Sequence, residues 1–94
     1  MNIKGFIWLP NIVNKLATKH SITPKEVEEA FRGQPKFKRG PRGHRHGENG
    51  YYCLGRSTSG RYLFVFFIFK QDQRALIISA RNMTNAERRY YERG

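Results

Sequence analysis

The sequence predicts an α+β fold in which helices cover a small, mostly antiparallel sheet, with elements in the order β-α-α-β-β-β-α. Three observations indicate this class. Tyr62–Phe69 is an almost unbroken apolar run, residues 75–80 form a second apolar segment after a turn, and helix-start motifs occur both before and after these segments. At 94 residues, the chain is expected to form one small domain with a single core.

The first part of the chain predicts one strand and two helices. Residues 6–9 are a short apolar strand closed by Pro10, and apolar residues at helical spacing predict an amphipathic helix over residues 11–19. A second helix begins with a capping box, in which Thr23 and Glu26 satisfy each other's backbone N–H groups around Pro24. Gly33 is expected to end it.

The next segment is of a different kind. Residues 36–49 carry many cations among glycines and a proline, with Glu48 as the only acid. Such a stretch cannot build a core, so it is predicted to be a mobile, basic, glycine-rich loop, spanning about residues 34–50.

The last part of the chain predicts three strands and a helix. Strands over residues 51–57 and 61–70 flank a hairpin turn, a third strand covers residues 75–80, and a capping box of Thr84 and Glu87 opens a helix to about Tyr91. Because Tyr62–Phe69 has no polar alternation, both of its faces are expected to be covered. Its aromatic rings are then core residues, or alternatively a platform on which bases stack.

The composition limits the partners and the location. A net charge of +11 favours a polyanion such as RNA. No apolar run is long enough to span a membrane, no interfacial helix is evident, and no signal peptide begins the chain, which predicts a cytoplasmic protein without a membrane partner. Because Cys53 is the only cysteine, an internal disulfide and a cysteine-rich zinc site are excluded, and Cys53 is expected to be a small core residue or a half-buried strand residue.

Several sequence blocks carry a family resemblance. They are Phe6-Ile-Trp8, Lys19-His20, the helix over residues 26–31, Gly55-Arg-Ser-Thr-Ser-Gly-Arg61, Ile78-Ser-Ala-Arg81, and Met83-Thr-x-x-Glu87-Arg-x-x-Tyr91. These blocks occur in the order typical of one family, so the chain resembles the BrnT toxins. BrnT toxins are the ribonuclease half of type II toxin–antitoxin pairs, and their fold is similar to that of the RelE group. The resemblance implies RNA cleavage without a cofactor. It also implies a ribbon-helix-helix antitoxin, through which the complex binds operator DNA.

The implied chemistry needs a general base, a general acid and cations that stabilise the charged phosphate. Arg81, at the end of a strand and before a helix, is the first phosphate candidate, or else it pairs with Glu87 or Glu48. Arg61 is the second phosphate candidate, or a solvated hairpin cation. We expect both arginines to border one cationic hollow, floored by the sheet and roofed by the glycine-rich loop.

Three further residues are candidates for the reaction. His20 is a candidate base or acid, or it pins the turn between two helices. Glu48 is a possible base, or it pairs with loop cations. Tyr91, on one helical face with Glu87, orients the phosphate or fills the core.

Other cations are candidates for holding RNA, namely Lys19, Lys38, Arg39, Arg42, Arg45 and Arg56. The basic loop is thus a phosphate-gripping arm, or a docking surface for an acidic antitoxin segment. His44 and His46 do not make a metal site, since no cysteine or carboxylate converges on them and nearby cations repel a divalent ion. Seven acids, three of them on one helix, also argue against two-metal catalysis.

A second function class stays open. The chain has Leu9, Ile12, Leu16 and Gly50 where the family usually has polar or charged residues. A non-catalytic, basic nucleic-acid-binding or adaptor domain on the same fold is therefore the alternative to a ribonuclease.

Overall fold

A computed structural model describes residues 1–40 and 48–93. The elements are β1 (Gly5–Ile7), α1 (Pro10–His20), α2 (Pro24–Arg32), β2 (Lys36–Arg39), β3 (Asn49–Arg56), β4 (Tyr62–Phe69), β5 (Arg74–Asn82) and α3 (Asn85–Glu92). The strands form one sheet in the order β1-β5-β4-β3-β2.

The predicted α+β class is confirmed. Every neighbouring pair of strands is antiparallel except β1 and β5, which are parallel. The sheet has one strand more than predicted, because residues 36–39 form β2 rather than part of a loop. Phe37 explains the difference: its ring lies 6.0 Å from those of Phe31 and Phe67, so this basic segment has an apolar anchor. The likeness to the RelE group stays a prediction.

The predicted helix starts are confirmed. Pro10 begins α1, and the capping boxes of Thr23 with Glu26 and of Thr84 with Glu87 are both formed. Helix α1 ends at His20 and is capped by Ser21, whose φ of 53° is the left-handed conformation that closes many helices.

The core lies between α1, α2 and one face of the sheet, which we call the inner face. Phe31 of α2 packs edge-on against Phe6 and Phe67, with ring centroids 5.1 Å apart in each pair. Cys53 is fully buried there, as predicted, and burial raises the pKa of its thiol well above the ordinary range. Leu16 is buried as well, so its departure from the family pattern serves the core.

Glycine at position 55 lets α2 lie directly on the sheet. A Cβ on Gly55 would lie 2.2 Å from the carbonyl oxygen of Ala30, far inside van der Waals contact. The close approach brings Ala30 and its neighbours in α2 against β3.

The opposite face of the sheet, the outer face, is only partly covered. Helix α3 lies over one end of it and buries Leu54. Phe64 and Phe66 are half-buried, whereas Leu63 and Val65 beside them are fully buried on the inner face. The expectation that both faces of this strand are covered therefore holds for the inner face alone.

A β-bulge in β5 decides which side chains reach the outer face. Phe66 pairs with Ser79 and Phe67 with Ile77, so Ile78 is the extra residue. Without it, Arg81 would share the side of Ile77, which is the core side, because side chains alternate along a strand. The bulge reverses the alternation and puts Arg81 on the outer face.

Candidate active site on the outer face

Two rows of side chains cross the outer face from β5 to β2. In one row Arg81, Phe64, Leu54 and Lys36 are successive cross-strand partners. In the other row the partners are Ser79, Phe66, Tyr52 and Lys38. The outer face thus has an aromatic centre with a cation on the strand at either side.

The rings at the centre touch one another. The centroid of Tyr52 lies 4.8 Å from that of Phe64 and 5.3 Å from that of Phe66. We call these three residues the aromatic surface. They border two hollows of about 340 Å³ each, which meet at Tyr52 and Phe64.

Arg81 lines one of these hollows together with His20 and Ser79, and we call it the Arg81 hollow. The Arg81 side chain is held on two sides. Its guanidinium carbon is 4.4 Å from the centroid of the Phe64 ring, and its Nη1 and Nη2 donate to the two carboxylate oxygens of Glu87 at 2.8 and 2.9 Å. The guanidinium thus lies over an aromatic ring, while its Nε has no hydrogen-bond partner among residues 1–40 and 48–93. Of the two acids considered as partners, the structure selects Glu87.

The pair shifts the pKa of both groups. The hydrogen bond from Arg81 lowers the pKa of Glu87, helped by the backbone of Thr84, and the hydrogen bond to Glu87 raises the pKa of Arg81. Glu87 is therefore ionised at neutral pH and is a poor proton acceptor.

His20 reaches the same hollow from the end of α1. It lines the cavity together with Arg81, Ser79 and the aromatic surface. Its side chain is exposed to solvent, as proton exchange with a substrate requires.

Arg61 fixes the end of α1 to the sheet. Its guanidinium donates to the carbonyl oxygens of His20 and Ser21, each at 2.6 Å, to Oδ1 of Asn82 at 2.8 Å, and more weakly to Glu26 at 3.4 Å. Arg81 donates to the carbonyl oxygen of the same Asn82 at 3.1 Å. The two arginines are thus neighbours, but Arg61 is engaged with the protein's own carbonyl groups.

The other two candidates for the reaction lie elsewhere. Glu48 forms an ion pair with Lys70 at 2.7 Å, near the far end of β4 and about 20 Å along the strand from Phe64. The hydroxyl of Tyr91 donates to the carbonyl oxygen of Gln34 at 3.0 Å, and burial raises the pKa of this phenol. Tyr91 lines a separate cavity of about 760 Å³ beside the β3–β4 turn.

The RNA-binding candidates are distributed over the surface. Lys38 lies 4.9 Å from the centroid of the Tyr90 ring and lines the second hollow of the outer face, whereas Arg56 stacks on Tyr62 at 5.0 Å beside the separate cavity. Lys19 and Arg39 are exposed. Arg42, Arg45, His44 and His46 lie outside the described residues.

Several residues of the site escaped the sequence reasoning. Tyr52 and Tyr90 belong to no motif, and Lys36 is predicted only as part of a loop. Ser79 lies in the Ile78–Arg81 block but is not among the predicted site residues. Lys36 donates to the carbonyl oxygen of Tyr90 at 2.7 Å and so ties β2 to α3. The cross-strand register brings Lys36, Tyr52 and Ser79 onto one face, and the packing of α3 adds Tyr90. No local signal in the sequence specifies either arrangement.

Two observations concern metals and membranes. Within residues 1–40 and 48–93, no three histidine, cysteine or acidic side chains converge as metal ligands. No helix in this part of the chain is long and apolar enough to cross a membrane.

Comparison with known proteins gives one clear relationship. A search of curated proteins found no match. The model of a protein family, described as the ribonuclease toxin BrnT of type II toxin–antitoxin systems, matches residues 8–87. This region includes the Arg81 hollow and both arginines discussed above. The chain therefore belongs to the BrnT family of ribonuclease toxins.

Proposed function

We propose that this toxin cleaves RNA in the Arg81 hollow without a metal ion, by attack of the ribose 2′-hydroxyl on the adjacent phosphate. Family membership supports an RNA substrate and an antitoxin partner. The observation that carries the proposal is the meeting of His20 and Arg81 in one solvent-open cavity.

In this reaction His20 accepts the proton of the 2′-hydroxyl. The 2′-oxygen then bonds to phosphorus, the bond from phosphorus to the 5′-oxygen breaks, and the departing oxygen takes a proton from water or from the protonated imidazole. The products are a 2′,3′-cyclic phosphate and a 5′-hydroxyl. Histidine suits both proton transfers because its imidazole can accept a proton at one step and release it at the next.

Arg81 stabilises the charge that builds up on the phosphate oxygens. Its Nε is free among the described residues, and the Phe64 ring and Glu87 fix the plane of the guanidinium. A donor held in place before the reaction costs no reorganisation when charge develops. Glu87 offsets part of the positive charge, so Lys38 and the exposed Lys19 and Arg39 contribute to holding the RNA.

Arg61 acts as a positioning residue. It holds the carbonyl groups of His20 and Ser21, and with them the last turn of α1, against the strand that carries Arg81. Glu48 and Tyr91 are not assigned to the reaction, because they lie away from this cavity.

We propose further that a ribbon-helix-helix antitoxin neutralises the toxin and that operator DNA is bound through the antitoxin. The toxin's charge of +11 supports an acidic inhibitory segment as the element that covers the RNA site. Arg42 and Arg45 are proposed to contact RNA or that segment.

The test compares two arginines of the same strand. Arg81→Ala removes the proposed phosphate ligand, and Arg74→Ala is the matched control, since Arg74 also pairs with an acid, Asp72, but lies at the other end of β5. Each variant is expressed from an inducible promoter without antitoxin, and growth and RNA integrity are followed. We expect the wild type and Arg74→Ala to cleave RNA, and the purified proteins to do so with chelator present. Both Arg81→Ala and His20→Gln should lose cleavage.

The outcomes separate the two function classes. Intact RNA and equal growth with all variants would refute the ribonuclease assignment. If the wild type also bound RNA in a salt-dependent manner, the alternative of a non-catalytic nucleic-acid-binding or adaptor domain would be supported. Cleavage that stops with chelator and returns with a divalent ion would refute the metal-free reaction.

A further inference from the structure

We propose that Tyr52 and Phe66 form a stacking site for unpaired bases of the RNA, which restricts the substrate to single-stranded segments. This inference rests on the proposed function for the identity of the ligand. It adds a binding site, a class of RNA structure and two specificity residues to it.

The first observation is the uneven burial of the sheet. On the inner face Leu63, Val65 and Phe67 are fully buried, but on the outer face the rings of Phe64 and Phe66 are only half-buried. An aromatic group of this size left partly open in a small domain has apolar area that a ligand can cover. Helix α3 covers the Leu54 end, so that, as far as residues 1–40 and 48–93 are concerned, the open part lies around Phe66 and Tyr52.

The second observation is the charge at both sides of these rings. Arg81 lies on β5 and Lys38 on β2, three strand spacings apart, or about 14 Å. Glu87, which lines the second hollow, is already paired with Arg81. An occupant with flat apolar groups and negative charge on both sides matches this layout, as a stretch of nucleotides does.

The third observation concerns the shape of the surface. The Tyr52 and Phe66 rings are 5.3 Å apart and both line the Arg81 hollow, which meets the second hollow at Tyr52 and Phe64. Bases in a duplex present only their edges, because their faces are stacked on neighbouring base pairs. Stacking on Tyr52 or Phe66 therefore needs a base that is free of its complement.

The test uses an RNA that the toxin cannot cleave. Short 2′-O-methyl RNA oligonucleotides carry the fluorescent base 2-aminopurine at successive positions, and the blocked 2′-oxygen prevents attack. Stacking on an aromatic ring quenches this fluorescence. We expect quenching at one or two adjacent positions in the single strand and none when the complementary strand is annealed.

Variants assign the quenching to the rings. Tyr52→Leu and Phe66→Leu keep apolar volume but remove the ring, and each should weaken binding about tenfold, with the slope of affinity against salt unchanged because no cation is lost. Tyr52→Phe and Phe66→Tyr should bind as the wild type does. The matched control is Phe69→Leu, in the same strand but packed against Tyr51 near the inner core.

The outcomes are distinguishable from those of the cleavage test. Equal affinity for single-stranded and duplex RNA, or absence of quenching in the wild type, overturns the stacking site even if RNA is cleaved. Quenching that the leucine variants abolish supports it even if no cleavage occurs. If the leucine variants bind RNA normally and lose affinity for the antitoxin alone, the surface is a protein-docking site and the proposal is refuted.

Discussion

Replacing Arg61 tests whether this residue contacts the RNA or positions the site. In the structure its guanidinium makes three short hydrogen bonds, of 2.6, 2.6 and 2.8 Å, to the end of α1 and to Asn82. We therefore expect Arg61→Ala to loosen the junction between α1 and the sheet. If Arg61 instead only bound phosphate, Arg61→Ala would leave the stability of the fold unchanged.

The size of the effect follows from these bonds. A hydrogen bond from a charged group contributes about 1.5–3 kcal/mol, but water can replace part of it here because the Arg61 side chain is 25% exposed. Counting about 1 kcal/mol for each of the three gives about 3 kcal/mol in the free energy of unfolding. For a domain of this size that corresponds to a decrease in Tm of about 15 °C.

The assay is thermal and urea unfolding of the purified variants, followed by kinetics on RNA. Arg56→Ala is the matched control, because Arg56 belongs to the same hairpin and stacks on Tyr62 without an ion pair among the described residues, so we expect it to cost at most about 1 kcal/mol. Arg61→Lys keeps the positive charge but lacks the planar guanidinium with its fixed donors, so its free energy of unfolding should lie between those of the wild type and Arg61→Ala. For Arg61→Ala, kcat should fall at least about tenfold with KM nearly unchanged, since His20 is displaced. Wild-type Tm with a raised KM would refute the positioning role and support direct RNA binding.

Three further predictions concern packing, charge and pH. Gly55→Ala forces a methyl group into the backbone of α2 at 2.2 Å and should lower the stability by about 3 kcal/mol or more, whereas unchanged urea unfolding would contradict the close packing. Glu87→Gln removes the acid beside Arg81, so RNA should bind several-fold more tightly and with a steeper salt dependence, and weaker binding would show that the pair is needed to orient the guanidinium. The folded-state pKa of Glu87 is lowered, so its stabilisation is complete above the ordinary value of 4.5 and is lost as the pH falls through the folded pKa. A titration of stability should show this loss in the wild type, and no difference from Glu87→Gln would contradict it.

The sequence determined most of the elements and their type. Both capping boxes, the helix start at Pro10 and the hairpin turn at residues 58–60 are formed as expected. These signals act between residues three or four positions apart, so they are readable without knowing the fold. The sequence analysis did not predict strand β2, because three of its four residues are cations and Phe37 is its only apolar residue. Its pairing with β3 is a contact between distant parts of the chain, which a local pattern does not show.

The structure shows where the candidate site residues lie, whereas their roles stay predictions. Arg81 and His20 do share a cavity, and Arg61 is adjacent, but Glu48 and Tyr91 are distant from it. A carboxylate and a phenol are residue types that could take part in RNA cleavage. The residue type alone, however, does not show how far a side chain lies from Arg81. The proximity of a general base to a phosphate depends on how helices lie on the sheet.

What the amino-acid order settled, then, was the basic character of the protein, its fold class and the caps of its helices. What the tertiary structure alone decided was the outer face: the extra residue Ile78 turns Arg81 away from the core, and the strand register places Tyr52 beside Phe66. The physical reason is that side-chain direction in a sheet changes with every residue of register. Register is fixed by packing across the whole core, which no short stretch of sequence encodes.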